Sequence, residues 1–328
     1  MARPKVFVTR RIAEQALDIL RKECEVTVGP ENPGLPKAEI VRTVGDCDGL
    51  LPVGHFKIDS EIMSAAPRLR VIANFGVGVD HIDISAASAR GIWVSNTAGS
   101  LTEATAELGW ALILATARRI AEGDRFVRAG KWQGFGPFFF LGTELVGKTI
   151  GIVGGGRIGQ AVAKRAPPFG MKVVYWSRAP RPEFDAAAYR DLDSLLRESD
   201  IVILTLSLAP ETRHLISDRQ LGLMKKTAHL VNIARGPIVD EPALARALLE
   251  GRIAGAGLDV FEKEPEIHPD LLRCENAVVI PHIGSATIET RTRMGIIAAE
   301  NCIAGVQGRV PPLALNAAEV GALGVRRM

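Results

Sequence analysis

Along residues 5–95, short β-branched apolar runs alternate with stretches in which apolar positions recur every three or four residues. Val6-Phe7-Val8-Thr9 has the look of a strand, and Ile12, Ala16, Leu17 and Leu20 behind it share one helix face. The alternation repeats: a strand at Val26-Thr27-Val28, a helix over 36–44, a strand over 49–53, a helix over 58–65, a strand over 69–75, a helix over 83–89 and a strand over 92–95. Strands separated by helical stretches predict a parallel sheet with helices packed on it.

The pattern then changes. Residues 101–128 contain no proline and are mostly Ala, Leu, Ile, Glu and Arg, which predicts one long helix leaving the first domain. Periodicity fails over 131–147, a glycine- and aromatic-rich stretch expected to be an irregular arm. Its Phe138-Phe139-Phe140 run suits either a local core or a face covered by a second subunit. Six strand candidates follow, at 149–153, 172–176, 200–206, 227–233, 255–260 and 277–281, with helices among them. That is the size of a doubly wound dinucleotide sheet. A last helix over 285–306 is expected to return to the first domain. The predicted fold is α/β, with two doubly wound parallel-sheet domains and a cleft between them. One is a discontinuous, flavodoxin-like substrate domain (1–98 and 286–328), the other a Rossmann-type cofactor domain (99–285).

The second domain opens on KTIGIVGGGRIGQ, residues 148–160. A buried strand, a glycine turn and a helix start stand there in order. Gly154, Gly156 and Gly159 fit G-x-G-x-x-G, with Gly155, Arg157 and Ile158 between them. The first glycine allows the tight turn, the second lets a pyrophosphate approach the backbone, and the third lets the helix pack close to the strand. The helix N-terminus then offers unpaired N–H groups to phosphates.

Composition narrows the class. At 328 residues the chain is long enough for about two domains. A formal charge of +3 gives no reason to expect nucleic acid or an acidic membrane surface as partner. Cys24, Cys47, Cys274 and Cys302 are scattered, which suits reduced thiols in a cytoplasmic protein and no metal. A strand-like run begins almost at the first residue, and no apolar run has the length of a membrane span.

In open α/β sheets, ligands bind beyond the carboxyl ends of the strands. Four chemical groups stand there: Arg235, Asp259, Glu264 and His282. They suit reduction of a 2-keto acid, which needs a hydride donor, a proton donor for the carbonyl oxygen and a cation for the carboxylate. His282 fits the second role because imidazole titrates near neutrality. Glu264 would stabilise the imidazolium, and Arg235 can hold a carboxylate by two parallel hydrogen bonds. Gly76-Val77-Gly78 follows a strand and can turn successive N–H groups toward an anion; the plainer alternative is a turn leading to a helix cap at Asp83. Val53-Gly54 is a further candidate for the substrate loop.

The chain resembles the D-isomer-specific 2-hydroxyacid dehydrogenases, and among them the glyoxylate/hydroxypyruvate reductases. Stretches that carry the resemblance include Asn74-Phe75-Gly76-Val77-Gly78-Val79-Asp80-His81-Ile82-Asp83, Val231-Asn232-Ile233-Ala234-Arg235-Gly236, Leu258-Asp259-Val260-Phe261 and Pro281-His282-Ile283-Gly284-Ser285-Ala286-Thr287, with residues 96–119 and 147–160. It implies an Arg235–Glu264–His282 triad. It also implies cofactor contacts at Thr102, residues 155–158, Ser177-Arg178-Ala179, Ile233, Ala234, Arg235, Asp259, His282, Gly284 and Ser285, and a homodimer built around residues 101–145. The substrates implied are 2-keto or 2-hydroxy acids, with 2-ketogluconate reduction or a nucleotide-sensing co-repressor as alternatives on the same fold. Formate oxidation fits less well, because that branch carries glutamine at the position of Glu264. Ala98 and Ser207 depart from prolines common in the family.

The end of the second cofactor-domain strand bears on the choice of nucleotide. NAD-binding folds usually place Asp or Glu there for the ribose hydroxyls. Here the strand runs into Ser177-Arg178-Ala179-Pro180-Arg181, and Glu183 and Asp185 come later. The missing carboxylate, with Ser177 and Arg178 as donors, predicts a preference for NADP(H), with NAD(H) still usable; Arg181 would reinforce the field. The plainer alternative is a solvated basic turn.

Overall fold

The computed structural model describes residues 2–32, 34–54, 56–185 and 187–322. The chain divides into two compact units, Met1–Leu101 with Ser285–Met328, and Thr102–Gly284.

Among the described residues, the first unit holds five strands, β1 (Lys5–Val8), β2 (Glu25–Val28), β3 (Gly49–Leu51), β4 (Val71–Ala73) and β5 (Trp93–Ser95). All neighbours are parallel, in the order β2-β1-β3-β4-β5. Strands β3, β4 and β5 are buried throughout, as in a sheet covered on both faces. Helix Ile288–Val306 packs in this unit, beside helix Glu14–Glu23. Two boundaries differ from expectation. Residues 99–101 fall in the first unit, because Ser100 is tied to Thr97 through backbone and hydroxyl, and Arg293 donates to the Ser100 carbonyl at 3.2 Å. Ser285 also falls there, ahead of the Thr287 helix cap. The expected end of this domain, residues 323–328, lies outside the described residues.

Among the described residues, the second unit holds seven parallel strands, β6 (Thr149–Val153), β7 (Lys172–Trp176), β8 (Ala188–Tyr189), β9 (Ile201–Leu204), β10 (His229–Asn232), β11 (Gly255–Leu258) and β12 (Ala277–Val279). Their order is β12-β11-β10-β9-β6-β7-β8. The order reverses between β6 and β9, so the crevice of a doubly wound sheet opens at the end of β6. The pattern predicted six strands. The extra one, β8, is two exposed residues that pair with Val174 and Tyr175 at the sheet edge, too short to leave a period in the sequence.

The predicted helix over 101–128 is two helices, Thr102–Ala117 and Ile120–Arg128. Arg119 between them takes a left-handed conformation, φ 55°. The break follows from the returning arm: Thr143 donates its N–H to the Ala117 carbonyl at 2.7 Å, taking an acceptor the helix would otherwise use. Arg119 then pairs with Glu122 at 2.6 Å and lies 4.7 Å from the Phe140 ring centre. Of the three phenylalanines, Phe139 and Phe140 pack edge-on against Phe126, while Phe138 is 86 % exposed.

Candidate active site

The glycine turn follows β6 as predicted. Gly156 is the N-cap of helix Arg157–Arg165, and among the described residues no side chain caps that helix end. A Cβ on Gly159 would lie 2.1 Å from the Gly154 carbonyl oxygen, so any side chain there would drive the helix off the turn. At Gly156 a Cβ would meet nothing within 4 Å. The backbone there is open to a bound group, beside an uncapped helix N-terminus, which fits the pyrophosphate of a dinucleotide.

The loop after β7 is built by aromatic packing. Tyr175 lies against Phe184 with ring centres 4.3 Å apart, and its hydroxyl accepts the Arg181 N–H at 2.8 Å. Ser177 is 8 % exposed and donates to the Ala179 carbonyl at 2.6 Å. Arg178 is exposed and makes no ion pair among the described residues. Arg181 crosses the glycine turn, its Cδ 3.0 Å from where a Gly155 Cβ would stand. Its guanidinium pairs with Glu183 at 3.1 Å, so part of the charge expected to reinforce the field is neutralised locally.

Arg235, Asp259, Glu264 and His282 follow the adjacent strands β10, β11 and β12. Arg235 leaves β10 in extended backbone and donates to the Ala234 carbonyl at 2.8 Å. Its turn is clamped by buried Asn232, which donates to the Arg235 carbonyl and accepts from the Ala234 N–H, both at 3.0 Å. Ile233 and Ala234 are 6 % and 8 % exposed. Gly236 comes next. A Cβ there would lie 1.8 Å from the Phe261 carbonyl carbon, so only glycine lets the Phe261-Glu262 backbone rest on the arginine turn. That backbone leads to Glu264.

Glu264 accepts the Phe261 N–H at 3.1 Å through Oε1, and its Oε2 lies 2.8 Å from His282 Nδ1. Both side chains are partly open, 26 % and 29 % exposed. His282 has φ 50°, an uncommon conformation for a side-chain-bearing residue. Such strain persists when the surroundings over-determine it. Here the His282 N–H donates to the Asp259 carbonyl at 2.9 Å, and the Ile283 and Gly284 N–H groups donate to the Asp259 carboxylate at 2.6 and 2.9 Å. Asp259 is 1 % exposed. Burial raises its carboxyl to about 6, against the pull of the Ile283 amide, the facing imidazole and the Gly284 amide. Its oxygens hold the 282–284 turn. Thr105, one turn into the helix that Thr102 begins, donates to the Gly284 carbonyl at 3.2 Å and ties the same turn down.

In the first unit, the Gly76-Val77-Gly78 carbonyls are all engaged. Asn74 donates to Gly76 and Gly78 at 3.1 and 2.9 Å, and Asn96 donates to Val77 at 3.0 Å. The Gly76 N–H bonds to the Asn74 carbonyl at 3.0 Å, whereas those of Val77 and Gly78 have no acceptor among the described residues. Asn74 and Asn96, 2 % and 7 % exposed, are missing from the residues expected at the site, because only the folded turn shows what they hold. The Val53 N–H is taken by the Thr9 hydroxyl at 2.9 Å, and Gly54 has φ 108°. Among the described residues, no group of three or more His, Cys, Asp or Glu is gathered to hold a metal, and no helix is long and apolar enough to cross a membrane.

A seven-stranded doubly wound sheet, a glycine turn at its switch point and an Arg, Glu and His at neighbouring strand ends define a dinucleotide-dependent oxidoreductase. Residues 110–284 match the family pattern described as D-isomer specific 2-hydroxyacid dehydrogenase, NAD binding domain. The chain belongs to that family. It is 51 % identical over 321 residues to the glyoxylate reductase of Thermococcus kodakarensis, covering 96 % of each protein. The crystal structure of a Thermus thermophilus protein superimposes with TM-score 0.90 at 48 % identity, over 95 % of this chain and 99 % of that one. An NADPH-dependent glyoxylate/hydroxypyruvate reductase from Sinorhizobium meliloti, crystallised with NADP and malonate, matches with TM-score 0.86 at 32 % identity, over 100 % and 99 % of the two chains.

Proposed function

We propose that this protein is an NADPH-preferring reductase of small 2-keto acids, acting on glyoxylate and hydroxypyruvate to give D-2-hydroxy acids. The observation that carries the reading is the 2.8 Å pair of His282 and Glu264 at the sheet edge that also bears Arg235. When bound, the reduced nicotinamide supplies the hydride. His282, with Nδ1 turned to Glu264, delivers a proton from Nε2 to the carbonyl oxygen. Glu264 stabilises the imidazolium and holds the ring orientation. Arg235 takes the substrate carboxylate by its planar fork, and the Val77 and Gly78 N–H groups are the second set of anion donors. Thr102, Gly154 to Gly159, Ile233, Ala234, Asp259, Gly284 and Ser285 are assigned to holding or shaping the nucleotide site.

The NADPH preference rests on Ser177 and Arg178 where a carboxylate would face the ribose. Ser177 must leave the Ala179 carbonyl to serve a 2′-phosphate, so Arg178 carries most of the discrimination. The Sinorhizobium meliloti relative, crystallised with NADP, supports the cofactor choice, and the Thermococcus kodakarensis relative supports the substrate. Four free, buried cysteines suit a cytoplasmic protein. Phe135 and Phe138, 93 % and 86 % exposed, suit a homodimer that covers the arm.

The test is a steady-state panel of glyoxylate, hydroxypyruvate and 2-ketogluconate with each reduced nucleotide. Fastest turnover of glyoxylate or hydroxypyruvate with NADPH supports the reading. Higher kcat/KM for 2-ketogluconate moves the substrate assignment, and no turnover of any keto acid with nucleotide-dependent capture of a protein partner overturns the enzyme.

A further inference from the structure

The chemistry above uses Glu264 and leaves another carboxylate without a task. Glu241 is the first residue of helix Glu241–Leu249. The helix is already capped by Asp240, which accepts the Ala243 N–H at 3.0 Å, so Glu241 is not needed there. Its side chain is buried, 6 % exposed, and among the described residues no lysine or arginine pairs with it. One oxygen accepts the N–H of Glu262, and the other accepts the N–H of His268 at 3.2 Å. Those two amides bracket Glu264. Burial pushes the Glu241 carboxyl up, and the two N–H groups draw it back. A buried carboxylate is costly unless hydrogen bonds compensate it, and here these two amides are the donors.

We propose that Glu241 is a positioning residue for the Glu264–His282 pair. Its two oxygens fix the backbone on either side of Glu264, so that Oε2 stays on His282 Nδ1. The inference rests on the reading of His282 as proton donor. His282 faces Glu264 and Asp259; Glu241 faces Glu262 and His268. The Glu262 carboxylate is turned away to Arg213, at 3.3 Å, and to His214. Gly236 supports the loop from below at Phe261, but nothing else described holds its His268 side by a buried acceptor.

Glu241→Gln is the test. Glutamine keeps the size and one acceptor, but turns an NH2 toward the other N–H and releases one side of the loop. In the full-length protein, kcat for glyoxylate reduction should fall about ten- to a hundredfold, as a misplaced catalytic group would cause, while KM for NADPH stays within about twofold. The alkaline pH at which turnover is half lost should move down by about one unit, because the imidazole loses part of its anionic neighbour. Glu241→Asp retains the charge and both acceptors at shorter reach; it should show the same changes in smaller degree, and it carries the test if the glutamine variant does not fold. A folded variant with parental kcat and pH midpoint would overturn the role of Glu241. His282→Ala is run beside it. If that variant keeps turnover, the proton-donor reading falls and the inference with it. If it is inactive while Glu241→Gln is unchanged, only the inference falls.

Discussion

Glu264 is held at both oxygens, by the Phe261 N–H at 3.1 Å and by His282 Nδ1 at 2.8 Å. A carboxylate fixed to its own loop on one side and to the ring on the other sets the direction in which the imidazole points. Two substitutions separate the roles. His282→Ala should lower turnover by roughly 10²- to 10⁴-fold, as loss of general acid catalysis does, with cofactor binding retained in a fluorescence titration. Glu264→Gln should move the alkaline loss of reductase activity to lower pH, since a neutral neighbour favours the protonated ring less. An unchanged pH–rate profile would separate Glu264 from the proton donor.

Arg235→Lys tests the carboxylate fork. A lysine supplies a point charge and cannot form two parallel hydrogen bonds. KM for glyoxylate should rise and kcat fall, together costing roughly 10- to 100-fold in kcat/KM, the scale of a lost charge-assisted hydrogen bond of about 1.5–3 kcal/mol. Near-parental kinetics in the lysine variant would take Arg235 out of the substrate site.

Arg178→Ala tests nucleotide choice. The parent should favour NADPH over NADH by about tenfold to a hundredfold in kcat/KM. Most of that ratio should disappear in the variant, with NADH activity little changed. Equal efficiencies in the parent, or an undiminished ratio in the variant, would remove the assignment.

His229 tests a buried ring. It is 4 % exposed at the start of β10, and burial takes its pKa from 6.5 down to about 4. The unfolded chain therefore binds a proton near pH 6.5 that the folded chain refuses until about pH 4. Stability from this residue rises with pH across that window and is lost as pH falls through it, by up to about 3 kcal/mol. Against a His229→Gln variant, the parent's unfolding free energy in urea should fall away between pH 6.5 and 4. A difference that stays constant with pH would show the ring to be unperturbed.

The candidate site residues are legible in the sequence because strand ends are. Each of Arg235, Glu264 and His282 follows a β-branched or apolar run, and parallel strands bring such ends to one edge. Asn74 and Asn96 of the first unit are not legible, because they act on carbonyls whose direction only the folded turn sets. Glu241 reads as a helix-start acid, the commonest place for one. The helix break at Arg118-Arg119 carries no glycine or proline; an acceptor claimed by Thr143, more than twenty residues on, makes it.

Asn232, Leu258 and Val279 stand in register across β10, β11 and β12. Arg235 and His282 each lie three residues beyond the matched position of their strand. The separation of strands, about 4.8 Å between neighbours, is a property of main-chain hydrogen bonding and is the same for any sequence. Arg235 and His282 are thus spaced by a ruler that side chains do not make. Replacements in the core beneath can accumulate over evolution and cost stability without altering that spacing. Inserting or deleting one residue in the short turns after β10 or β12 would alter it at once. Lineages descended from this chain should therefore drift freely in residue identity at these strands while keeping the lengths of those turns unchanged.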